Sequence, residues 1–217
     1  MRRLFNISLF LLTSCYADFV PHDVSSLVKN KEAAFIVDNS DSYSVYGGYG
    51  SACAHPGGHV IFNEDDTKRN IYAVADGTIT EIKDCSSAGS NDKYDIRLNL
   101  GLVGATPVYF DYSIEPYGGA PCASNPNVFK NNILVSEGDK VTKGQVIATI
   151  TPGNGSNGNA HIHFNITADG ASICPDIFAE SFFTSGDFGV VQDGDCEEPA
   201  TSLCVELTAS ERPDNLY

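Results

Sequence analysis

Residues 161–166 read His-Ile-His-Phe-Asn-Ile, "HIHFNI". Strict alternation of polar and apolar residues marks a half-buried β-strand, because successive side chains point to opposite faces. Ile162, Phe164 and Ile166 are thereby assigned to a core, and His161, His163 and Asn165 share the open face. At a rise of about 3.3 Å per residue the two imidazoles stand roughly 6.5 to 7 Å apart at Cα, close enough to serve one site in different roles.

The rest of the chain reads as β-rich around this strand. Twenty glycines and ten prolines punctuate short Val, Ile, Tyr and Phe runs in 217 residues, which indicates one all-β domain of mainly antiparallel sheet and hairpins forming an open groove, with few or no long helices. Strands are expected at 34–37, 71–75, 78–82, 94–100, 108–112 and 145–150. Asp76-Gly77 is expected as a tight turn joining 71–75 to 78–82. The stretch "GGYGSACAHPGGHVIF" is expected to be a surface loop carrying His55 and His59. Residues 113–132 are expected to be a long irregular connection, and "ILVSEGDKVTKGQVIATI" a hairpin-rich stretch.

Residues 1–17 have the form of an export signal: Arg2 and Arg3, an apolar run from Leu4 to Leu12, then small residues. Leu12-Thr13-Ser14-Cys15 also resembles a bacterial lipobox. That reading makes Cys15 a lipid anchor on a periplasmic or cell-envelope protein, whereas ordinary cleavage after Ala17 gives a secreted one. Residues 18–54 are a lead-in, 55–186 the β domain, and 187–217 an acidic tail pinned by disulfide. Without Cys15, six cysteines remain, an even number consistent with three disulfides in an exported chain. Cys196 and Cys204 are the first pair to expect. A formal charge of -15 with no basic cluster excludes a nucleic-acid partner.

Four of the five histidines form two groups, His55 with His59 and His161 with His163. Clusters far apart in sequence that a β-fold can unite are what a catalytic zinc site needs, since zinc takes three protein ligands and keeps a fourth position open. His59 and Asn63 are spaced i, i+4; a straight strand would hold them about 13 Å apart, so a turn or bulge in "HVIFN" is required for a shared ion.

These residues, taken in order, resemble the lysostaphin-type zinc metallopeptidases that cut peptidoglycan cross-bridges. The resemblance runs through His59-x-x-x-Asn63, "YAVADGTITEI", "VSEGDKVTKGQVIATI" and "GNAHIHFNI", over roughly residues 55 to 170. It implies that His59, Asn63 and His163 ligate zinc and that His161 stands beside the metal to polarise water or stabilise the oxyanion. The implied activity is hydrolysis of a peptide bond in peptidoglycan or a Gly-rich peptide. Two positions depart from the family pattern. Asn63 replaces an aspartate ligand, with Asp65, Asp66 or His55 as substitutes. "VYFDYSIEP" offers Asp111 or Tyr112 where the family has a second catalytic histidine, Asp111 as a general base and Tyr112 as an oxyanion donor. The alternative is an inactive member that binds cell-wall peptide or regulates a wall hydrolase. A biotinyl or lipoyl carrier is excluded, because the "EGDKVTKGQVIA" turn lacks an acceptor lysine in the right setting.

Overall fold

The structure, a computed structural model, describes residues 23–30, 32–38, 43–48, 57–62, 67–88, 91–116, 121–151 and 160–173. A short helix α1, Ser25–Asn30, precedes the strands β1 Tyr43–Gly48, β2 Gly57–Phe62, β3 Arg69–Tyr72, β4 Gly77–Ala88 and β5 Asn91–Val103. They are followed by β6 Thr106–Glu115, β7 Lys140–Val141, β8 Val146–Ile150, β9 His161–Ala168 and β10 Ala171–Ile173. The large sheet runs β1-β2-β9-β6-β5-β4-β7, with β10 also on β9, and β3 and β8 form a second, two-stranded sheet. All of these strand pairs are antiparallel. The expected all-β class is therefore the observed one.

The alternation in β9 orients the large sheet as expected. Ile162, Phe164, Ile166 and Ala168 are buried, as are Val108, Phe110, Tyr112 and Ile114 on β6 and Tyr94, Ile96, Leu98 and Leu100 on β5. Each such Ile or Phe stabilises the fold by about 1.5–3 kcal/mol relative to exposure. The β3–β8 pair closes this apolar face. Tyr94 Oη donates to Thr149 O at 2.5 Å, and Tyr112 Oη accepts from Val74 N at 3.0 Å and donates to Tyr72 O at 3.2 Å. Burial pushes both phenols above their ordinary pKa, since an ionised ring there would lose its hydration.

Four local expectations are corrected. Residues 34–37 form no strand; the segment meets the β3 region through Ala34 N to Val74 O and Tyr72 N to Ile36 O, while Ile36 and Val37 join the core. The Asp76-Gly77 step makes no hairpin, because β3 pairs with β8 while β4 pairs with β5 and β7. β7 and β8 likewise pair with β4 and β3 rather than with each other. Finally, residues 57–62 are a strand inside the large sheet rather than a surface loop.

The reason for the last lies in Gly58. It pairs with Phe164 of β9, and a Cβ at 58 would lie only 2.3 Å from Phe164 Cζ. Glycine there lets the ring lie flat over the backbone, so a residue that reads as a turn former admits β2 to the sheet. The 113–132 connection is partly ordered: β6 extends to Glu115, and the turn near Pro121–Ala123 is tied to β4 by the Cys85–Cys122 disulfide. The export signal, Cys15, the Cys196–Cys204 pair and the 187–217 tail lie outside the described residues.

Candidate functional site

The face of the large sheet opposite the core carries its polar residues in cross-strand rows. One row runs Ile61, His161, Glu115 over β2, β9 and β6. The next runs His59, His163, Ser113, Asp95, Lys83 over β2, β9, β6, β5 and β4. A third runs Asn165, Asp111, Arg97, Glu81. Cross-strand neighbours on one face bring their Cβ atoms to about 4.5–5.5 Å. Residues a hundred positions apart thus become contacts.

Three of the expected site residues converge. The His59 and His163 rings lie 4.3 Å apart between centroids, and His59 and His161 lie 5.5 Å apart. Asn165 Nδ2 faces His163 Nε2 at 3.3 Å, while Asn165 Oδ1 is buried with no hydrogen-bond partner among the described residues. That buried oxygen bears on metal binding. An imidazole that ligates a metal through Nδ1 carries its proton on Nε2 and donates it to a neighbouring acceptor. Turning the Asn165 amide over would supply that acceptor. With the amide so turned, His163 has the hydrogen-bond partner that a ligating imidazole uses. Among the described residues, no three His, Cys, Asp or Glu side chains form a set able to hold a metal. Asn63, Asp65, Asp66 and His55, the other candidate ligands, all lie outside the described residues.

Tyr112 and Asp111 have other surroundings. Tyr112 points into the core, 1% exposed, its hydroxyl engaged by the β3 segment, so it presents no donor to the histidine face. It occupies an inward position because strand period two places 110, 112 and 114 together. Asp111 does share the face, but the Arg97 guanidinium holds both its oxygens, at 2.6 Å from Nε and 3.3 Å from Nη2. The same carboxylate raises the Arg97 pKa above its ordinary value.

The positions facing the histidines are instead Ser113, opposite His163, and Glu115, opposite His161. Sequence reasoning missed both, although the period-two pattern that starts at Asp111 points to them. The Glu115 carboxylate lies 3.6 Å from His161 Nε2, and its side chain is only 8% exposed. The two side chains therefore lie against each other on adjacent strands. Ser113 Oγ accepts from Lys93 Nζ at 2.7 Å and donates to Asp95 Oδ1.

Fold and site together define an all-β, antiparallel protein with an imidazole-bearing polar face. No protein-family model and no curated protein sequence matches the chain. Among solved structures, the NMR solution structure of lysostaphin is similar to it, with 18% identity over 80% of this chain and a TM-score of 0.38. The match takes in 62% of lysostaphin, so this chain spans less than two thirds of that protein's length.

Proposed function

We propose that this chain is an exported, zinc-dependent peptidase-type protein. Its polar sheet face takes peptide from peptidoglycan cross-bridges or other Gly-rich sequences. The observation that carries the reading is the convergence of His59, His161 and His163 on one face. His59 and His163 would hold zinc, with Asn63 completing the set through its amide oxygen. A zinc ion bound there supplies a water acidified towards pH 7 and a polarising charge for a carbonyl. His161, oriented by Glu115, holds and passes the proton that attack on an amide and departure of the amine require. The Cys85–Cys122 disulfide supports export, since such bonds persist in oxidising compartments. The membrane anchor at Cys15 belongs to the same proposal.

A second reading is favoured by a specific observation: both residues offered for the second catalytic role are otherwise engaged, Tyr112 in the core and Asp111 by Arg97. On that reading the face binds peptide without cutting it. Incubating the zinc-loaded protein with purified peptidoglycan and with a pentaglycine peptide separates the two. New amino termini that disappear in His161→Ala establish the peptidase. Retention on the wall without new termini establishes the binder. Neither cleavage nor retention would remove both.

A further inference from the structure

The row that holds His59 and His163 continues through Ser113 to Asp95 and Lys83, and there the sheet face opens into a cavity of about 210 Å³. Its charged lining is Glu81, Lys83, Lys93, Asp95, Arg97 and Asp111. Cations and anions balance. Along β5 the signs alternate, Lys93, Asp95, Arg97, at the strand repeat of about 7 Å for residues two apart.

These groups answer one another. Lys83 Nζ meets Glu81 at 2.8 Å, Lys93 Nζ meets Asp95 at 3.4 Å, and Arg97 meets Asp111 at 2.6 Å and Glu81 at 3.3 Å. The Lys83 hydrogen bond holds the Glu81 carboxyl below its ordinary pKa, and Glu81 raises that of Lys83. Yet the side chains of Lys83, Arg97 and Glu81 remain 55%, 43% and 38% exposed. The pairs of Glu81 with Lys83 and with Arg97 Nη1, so open to water, contribute little, so ligand charges can replace them at small cost while Arg97 keeps its two contacts to Asp111. A ligand of one sign would strand the opposite set, whereas a ligand carrying both signs satisfies both. Asp95 is the best organised member. Ser86 Oγ donates to it at 2.6 Å, and Ser113 and Lys93 hold its other oxygen.

We propose that this cavity is a binding subsite for a free α-amino-carboxylate, that is, an amino-acid end group whose ammonium and carboxylate are both unblocked. The ammonium faces Asp95 and the carboxylate faces Arg97. A charge-assisted hydrogen bond of about 2.7–2.9 Å at each end lets so short a group bridge neighbouring positions of the strand. The subsite adjoins the groove of the proposed function but depends on neither zinc nor hydrolysis.

The test is an NMR titration of the isotope-labelled full chain, following the Arg97 Nε–H resonance. The probes are Nε-acetyllysine, which has both charges on a neutral tail, its Nα-acetyl derivative, which keeps only the carboxylate, and its methyl ester, which keeps only the ammonium. A saturable shift is expected with Nε-acetyllysine, and binding at least about tenfold weaker with either blocked form, the worth of one charged hydrogen bond. Lys83→Gln, at the solvent edge, weakens binding, and Arg97→Gln abolishes it. No saturable shift in the wild-type chain, or equal binding of all three probes, would overturn the proposal and leave the charges as a cross-strand ladder. Zinc content and hydrolysis are unaffected by that outcome, so the two readings fail separately.

Discussion

Tyr112→Phe distinguishes a core anchor from a groove residue. The substitution keeps the ring and removes one oxygen, which links the large sheet to the β3 segment through Val74 N and Tyr72 O. Val74 is 1% exposed, so its amide would be left without a partner and without water. A buried group so stranded costs about 1–3 kcal/mol. Tyr72 is half-buried and its carbonyl recovers part of its loss, so the expected destabilisation is about 2–3 kcal/mol. The same hydroxyl predicts a pH dependence. The folded-state pKa values of Tyr94 and Tyr112 lie above the ordinary 10.0, so their stabilisation is complete below pH 10 and is lost as pH rises beyond it. Above pH 10 the unfolded chain releases both phenolic protons while the native chain keeps them. Stability then falls by about 1.4 kcal/mol per pH unit for each tyrosine. Urea unfolding followed by circular dichroism should show the wild type losing about 1.4 kcal/mol more than Tyr112→Phe in total between pH 7 and pH 11. Equal losses, or a variant as stable as the wild type at pH 7, would refute the assignment of Tyr112 to the core.

Gly58→Ala forces a methyl group into the Phe164 ring, which is fully buried and cannot swing away. Thermal melts should show a loss of about 1–3 kcal/mol, the usual cost of overpacking, and an unchanged melting temperature would deny the close approach of β2 to β9. The Cys85–Cys122 bond closes a loop of 37 residues. Loop entropy assigns it about 4 kcal/mol, so the double serine variant should unfold at a correspondingly lower urea concentration, and a shift near zero would contradict the pairing.

What the sequence disclosed followed from local pattern. Period two in "HIHFNI" assigned residues 161–166 of β9 to their correct faces, because alternation is decided within a strand. The strands at 94–100 and 108–112 were legible for the same reason, short only at their ends. Residues 57–62 were not, since glycine signals a turn locally and its use under Phe164 depends on a strand a hundred residues away. Residues 34–37 failed in the other direction: an apolar run with strand composition packs into the core through two backbone contacts and makes no ladder. The site shows the same division. His59, His161 and His163 were named from sequence, and the β2–β9 register brings them together. Asp111 and Tyr112 were chosen from motif position, and only the β6–β9 register reveals that Ser113 and Glu115 stand opposite the imidazoles.

Zinc stoichiometry tests the central claim most directly. The full chain, equilibrated with zinc and dialysed against metal-free buffer, should retain close to one zinc per molecule by elemental analysis. His59→Ala and His163→Ala should each lose it while keeping the wild-type circular dichroism spectrum. Zinc retained in full by both folded variants, or absent from the folded wild type, would contradict the shared imidazole site.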